Sequence, residues 1–459
     1  MPAVEKIVRF VTGFDGNSIP LEGLSRVKAA ILDYVGVTLA GYSEECSRIV
    51  RRMAEFAGGA PQAIIWGSGR KTSVLLAALA NGTAAHALDY DDVNSVMRSH
   101  PSIQLLPGLF ALGEYAHKSG QEVIEAYLAG FEVGGKLGRA LNPNLVYQGW
   151  FPVGTLGTLM QTLACTKLLD LDADQAKMAL GIATNLASGL RCNNGTMAKP
   201  LMAGQVGSNG ILATLLAREG LTANPQALED RFGFFENFSR GEKGALEDAV
   251  DSLGSSWEII QSGITHKLYP CCAGSHMAID CALNLARNHP LQPAEINEIQ
   301  VSISVNAKYL LIHPRPRTEM EAKFSLEYAV ARAILDHQIG PRQFTPEKIH
   351  DPALKSLIEK INPTYYELSP VQSSGEWTRL PVEIKIQMHN GKVFSGSVDA
   401  PKGSPRNPLA PEDLEEKFRQ CCQGKLSESR IRESQDRLRA LEKETDVADL
   451  VSSWREFTS

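Results

Sequence analysis

Six side chains that can move protons or hold anions crowd into fifteen residues of the stretch HALDYDDVNSVMRSHPS: His86, Asp89, Asp91, Asp92, Arg98 and His100. A carboxylate beside an imidazole fixes its tautomer and raises its basicity, which suits removal of a proton near pH 7. Pro101 predicts the end of a helix and places His100 in a loop, where side chains meet ligands more often than in helix interiors. The same residue types also suit an acidic, turn-forming, N-capping surface stretch, and types alone leave both readings open.

Two further stretches carry reactive groups. In RCNNGTMAKPLMAG (191 to 204), Asn193, Asn194 and Thr196 precede Lys199 between apolar helical segments, so the lysine is either a carboxylate anchor or a solvated loop residue. In THKLYPCCAGSHMAID (265 to 280), Lys267, Tyr269, Cys272 and His276 surround Pro270 where the composition shifts. Ligand sites favour such domain junctions, although a lone histidine at a helix start is more often structural.

The elements that must position these groups divide into two textures. Residues 1 to 265 are rich in Ala, Leu and Gly at helical spacing, as in 24 to 41, 73 to 90 and 106 to 120, and read as all-helical. Small residues in 131 to 141 and 153 to 169 would let buried helices approach closely. From 266 to 399 the pattern turns α+β: strands over 295 to 305 and 380 to 398, the latter folded at Asn390-Gly391, and helices over 321 to 337 and 345 to 361. The tail from 400 to 459 is helical again, and its charged helix from Pro411 is expected to pack back onto the first domain. The expected class is therefore mainly α, a large helical domain with a smaller α+β domain.

At 459 residues the chain exceeds one ordinary core, and 43% hydrophobic with 21% charged residues is an average globular composition. A formal charge of −6, with 46 basic and 52 acidic side chains intermixed, provides no field for nucleic acid or an anionic membrane. The opening MPAVEKIVRFVTGFDG has no secretory pattern and no run approaches a membrane span, so a soluble, cytoplasmic protein is expected. Its eight cysteines form no CxxC pair and are expected to be reduced thiols, with no zinc ribbon or local iron–sulfur spacing. GSGRKTS (67 to 73) lacks the register of a phosphate loop, and no G-x-S-x-G elbow is present.

Taken in order, NGTAAHALDYDD, the HPS at 100 to 102, GWFPVGTLGT (149 to 158), GTMAKPLMAG (195 to 204), HKLYPCCAGSH (266 to 276), EAKFSLEYAVA (321 to 331) and PEDLEEKF (411 to 418) resemble the MmgE/PrpD family along nearly the whole chain. Each piece is weak alone; seven in the right order are specific. The resemblance implies a site between a helical and an α+β domain, a homodimer, a small polycarboxylate substrate, and neither metal nor cofactor. Carried over residue by residue, it implies catalytic roles for Asp89, His100, Lys199, Lys267 and His276. It also implies substrate contacts for Asp92, Arg98, Cys272 and Tyr309.

Family members dehydrate 2-methylcitrate, decarboxylate cis-aconitate or epimerise iminodisuccinate. This chain departs from the common pattern at Val93, where D-D-T is frequent, and at Phe151 and Val153, where a histidine and a threonine are frequent. Cys272 stands where the decarboxylase has a further histidine. The stretch SVMRSHPS, with Arg98 as a bidentate carboxylate clamp, resembles the epimerase branch. The leading expectation is dehydration of a hydroxy-polycarboxylate with His100 as base; epimerisation, decarboxylation and a non-catalytic paralogue are the alternatives.

Overall fold

In a computed structural model, residues 1–16, 19–239, 244–367 and 381–457 are described. Their apolar side chains form two main cores. The larger gathers residues between Ala3 and Ile264 and takes in Leu414, Phe418, Leu438 and Trp454 from the C-terminal helices. The smaller runs from Tyr269 to Met388. On this membership we propose a division into a helical domain of 1–265, closed by the C-terminal helices from 400 on, and an α+β domain of 266–399.

Helices build the larger core because its segments are nearly all-round apolar; helix Val74–His86, for example, buries Ala77, Ala78, Asn81, Thr83 and Ala85. It packs against helix Ala198–Arg218 at two glycines. A Cβ on Gly82 would lie 2.7 Å from the Cα of Gly204, and one on Gly204 would lie 2.0 Å from the carbonyl oxygen of Leu79. Only glycine permits this approach, and it brings the end of the first helix, His86, beside the start of the second, Lys199. The tail returns as expected: helix Pro411–Cys422 lies along helix Leu21–Gly41, with Phe418 in the core.

The all-helical expectation for the first domain is broken by a two-stranded ribbon, β1 (Ala63–Ile65) and β2 (Arg70–Thr72). Its turn places Gly67 and Gly69 at φ +79° and +74°, and their amides donate to the carbonyls of Trp454 and Arg455, so the C-terminus stitches it down. In the second domain a sheet runs in the order β4-β3-β5-β6, with β3 (Ile296–Ser304), β4 (Ile361–Tyr366), β5 (Val382–Met388) and β6 (Val393–Val398). β5 and β6 form the expected hairpin, Gly391 standing at φ +84°. The helix read over 345 to 361 is instead two short helices, Pro346–Ile349 and Pro352–Ile358, followed by β4 parallel to β3. Pro363 is tolerated in β4 because that strand is an edge.

Candidate active site

Helix Val74–His86 stops at His86, and the chain turns through Asp89 to Asp92 before helix Pro101–Ala116. Asp89 sits at φ +50°, a left-handed conformation that aspartate tolerates better than most residues. Pro101 does not end a helix as expected; it occupies the first turn of the next one, where its missing N–H costs nothing, and His100 is the residue just outside.

Buried lysines from outside the turn donate to its backbone. Lys323 Nζ reaches the carbonyl of Ala87 at 3.0 Å, Lys267 Nζ that of Asp89 at 2.8 Å, and Lys417 Nζ that of Tyr90 at 2.9 Å. Lys267 and Lys199 also both donate to Asp89 Oδ1, each at 2.8 Å. Burial works to raise the pKa of Asp89, but the charges of Lys199 and Lys267 outweigh it and hold the carboxyl well below the usual range. Lys199 is thus no solvated loop residue; it is 4% exposed at the start of its helix.

His100 Nδ1 lies 3.1 Å from the carbonyl oxygen of Asp92 and 2.8 Å from Asp91 Oδ2. Because a carbonyl only accepts, Nδ1 carries the proton and Nε2 keeps its lone pair. Burial, joined by the charges of Lys267 and His86, lowers the pKa of His100 to about 3 against the pull of Asp91, so the ring is neutral near pH 7. Asp91 also binds His86, whose Nδ1 is 2.8 Å from Oδ1, and the two imidazoles meet edge to face at 4.6 Å. Burial favours the neutral form of Asp91, but the two imidazoles on it hold its pKa well below the usual value.

His86, Asp89, Asp91 and His100 offer ligand atoms within 4.8 Å of one another, a composition of metal-binding type. Asp89 is already neutralised by two ammonium groups, and a dication beside it would face both. These residues suit ammonium, rather than a metal ion, as the counter-charge.

A cavity of about 110 Å³ gathers Asp89, Arg98, His100, Lys199, Lys267, Cys272 and Tyr309 on its walls. Two expected residues are not among those lining it. Asp92 turns toward the start of helix Pro101–Ala116, where its Oδ1 accepts the Ser102 amide at 3.1 Å and its Oδ2 the Ser102 hydroxyl. Burial, only partly opposed by Ser102, raises its pKa to about 7. His276 lies behind the wall, its Nε2 donating to the carbonyl of Cys271 at 3.2 Å and its ring against Tyr269; burial lowers its pKa to about 3.

Sequence reasoning missed Arg191 and Asn306, which also line the cavity. Arg191 opens the motif around Lys199, so its proximity was the available signal; nothing in sequence points to Asn306. The Arg191 guanidinium donates to the carbonyls of Val146 and Tyr309, spanning the two domains at the rim. Tyr309 itself is 60% exposed. Val93 and Phe151 form apolar parts of the wall, with Lys199 Nζ 5.9 Å from the Phe151 ring centre. Burial raises the Cys272 pKa and keeps it a thiol. Among the lining residues Asp89 is the one carboxylate, facing Arg98, Arg191, Lys199 and Lys267.

A cationic cavity with a neutral imidazole, at the junction of a large helical and a smaller α+β domain, defines a class of enzyme-like sites for small anions. The comparisons are more specific. The MmgE/PrpD N-terminal domain matches residues 5–247 and the MmgE/PrpD C-terminal domain residues 269–443, and the chain belongs to the MmgE/PrpD family. Cis-aconitate decarboxylase of Homo sapiens is 30% identical over 410 residues, covering 86% of this chain and 82% of that protein. Cis-aconitate decarboxylase of Aspergillus terreus is 28% identical over 469 residues, covering 97% and 94%. The protein is thus related to enzymes, carboxy-lyases among them. No helix among the described residues is long and apolar enough to cross a membrane.

Proposed function

We propose that the protein is a metal-independent lyase that takes a proton from the carbon next to a carboxylate of a small hydroxy-polycarboxylate and expels water. The observation that carries this reading is His100, a neutral base with Nε2 free, set in one cavity with four cationic side chains. Arginine and lysine hold the substrate's carboxylates, and the ammonium groups on Asp89 stabilise charge that builds at the carboxylate during proton removal. The C–H electron pair becomes the new C=C bond as the C–O bond breaks. The acids available to the departing hydroxide are those ammonium groups and the Cys272 thiol.

Decarboxylation of a cis-aconitate-like tricarboxylate is the second reading, favoured by the relatives' activity. Epimerisation needs a second acid–base group across the substrate; His276 lies behind the wall, and the Cys272 thiol is the group in the cavity available for that role. Incubating the protein with 2-methylcitrate, citrate and cis-aconitate separates the readings. A rise in absorbance of a conjugated double bond supports dehydration, release of CO₂ supports decarboxylation, and solvent deuterium in unchanged substrate supports epimerisation. If His100→Ala turns over as fast as the wild type, His100 is not the base; if neither protein shows turnover in any of the three assays, the lyase reading is wrong and a binding protein remains.

We also propose the homodimer that the family resemblance implies. Helix Glu45–Ala57 points Ile49, Met53 and Phe56 outward at helical spacing, the last 85% exposed, a face suited to a second copy. Sedimentation of wild type and Phe56→Glu tests it; a monomeric wild type overturns it.

A further inference from the structure

We propose that Lys417 and Lys323, far apart in sequence and outside the cavity, are positioning residues for the Asp89–His100 machinery, gripping the backbone of its turn from two sides. The reading of Asp89 and His100 as the working pair is the one premise taken from the proposed function.

The turn asks for such support. Asp89 stands in left-handed backbone, and the carbonyls of Ala87, Asp89 and Tyr90 all lie in surroundings where an unpaired acceptor is costly. Each is met by an ammonium group carried by another element. Lys323 follows the short helix Glu319–Ala322 of the α+β domain, is 2% exposed and donates to Ala87. Lys417 lies in helix Pro411–Cys422, is 4% exposed and donates to Tyr90. Its ammonium is 4.0 Å from the centre of the Tyr90 ring and 2.6 Å from Asp33 Oδ1, so Asp33 supplies the counter-charge from helix Leu21–Gly41.

The grip is directional. Lys323 and Lys267 pull on Ala87 and Asp89 from the α+β domain, and Lys417 holds Tyr90 from the C-terminal helix. The carbonyl of Asp92, which sets the tautomer of His100, is two residues further on. Releasing Tyr90 therefore loosens the peptide that aims the base, although Lys417 touches no substrate.

The test reads His100 directly and needs no substrate, so it stands apart from the reaction assigned above. Full-length protein with ¹³C-labelled histidine is titrated by NMR as wild type, Lys417→Met, Lys323→Met and the control Lys136→Met. Lys136 is another buried lysine, paired with Glu132 and Glu258 away from the turn. In wild type the buried His100, its pKa lowered to about 3, is expected to stay neutral until the pH falls to that range. A loosened turn admits water, so the expected result is a rise of at least one pH unit in the His100 midpoint in Lys417→Met and Lys323→Met, with no change in Lys136→Met. If the two turn variants stay folded and titrate as wild type, or if Lys136→Met moves His100 equally, the positioning role is overturned. Should Lys417→Met fail to fold, Lys323→Met decides alone.

Discussion

Lys267 reaches Asp89 twice, its ammonium 2.8 Å from the carboxylate oxygen Oδ1 and 2.8 Å from the backbone carbonyl oxygen of the same residue. One side chain thus fixes both the charge and the backbone of Asp89. Removing the carboxylate's charge and removing its shape are therefore separable experiments.

Asp89→Asn makes that separation, because asparagine also tolerates left-handed backbone. The substitution leaves the ammonium groups of Lys199 and Lys267 buried without their carboxylate. Breaking a buried ion pair from one side costs about 3–5 kcal/mol, so urea unfolding at pH 7 is expected to show a loss of that order. A change under about 1 kcal/mol would mean that the lysines find other partners.

The pH profile of kcat reports the base. His100 works when neutral, and its lowered pKa of about 3 keeps it neutral as pH falls from 8 to about 4. The expected kcat is flat across that range and declines only below it. An apparent pKa of about 6.5, the ordinary histidine value, for an acidic limb that disappears in His100→Gln would show that the base is not held in this environment.

Asp91→Asn addresses orientation. The amide keeps the size but gives the two imidazoles an uncharged partner that can present N–H to N–H. With His100 mis-aimed, kcat is expected to fall by about 10²–10⁴ while KM changes little, the mark of a group that acts through the base. An unchanged kcat would leave the carbonyl of Asp92 as the sole determinant of the tautomer.

Arg191→Ala tests the rim. A charge-assisted hydrogen bond contributes about 1.5–3 kcal/mol, so KM for a tricarboxylate is expected to rise by one to two orders of magnitude with kcat within a few-fold. Equal KM values in steady-state assays of wild type and variant would remove Arg191 from the binding site.

Much of the architecture was legible from local pattern. Apolar spacing at 3.6 residues and the Asn390-Gly391 turn are signals carried by neighbours in sequence, and the helices and the β5–β6 hairpin follow them. β4 was hidden because INPTYY continues a helical run and contains Pro363; it becomes a strand by pairing with β3, a partner some sixty residues away. Pro101 marks a helix boundary of either sense, and only the cap geometry shows that it starts one.

The site was half legible for a related reason. Asp89, His100, Lys199 and Lys267 belong to ordered motifs, and they meet in space. Asp92 and His276 sit in the same motifs but face away, because a turn can aim only some of its side chains at one cavity. Lys417 reads as one charge among many in PEDLEEKFRQ, and its burial depends on Asp33 and Tyr90, which no window of sequence contains.

The returning C-terminal helix has a consequence for the order of synthesis. Asp33 and Tyr90 leave the ribosome early, whereas Lys417, which joins them, follows only after the whole α+β domain. A nascent chain therefore carries every acidic and imidazole group of the site long before the turn that bears them is clasped from behind. Nonsense truncation ahead of Pro411 would remove Lys417 together with the core residues Phe418, Leu438 and Trp454, a lesion distant in sequence from the cavity that would reach it through the core as well as through the turn.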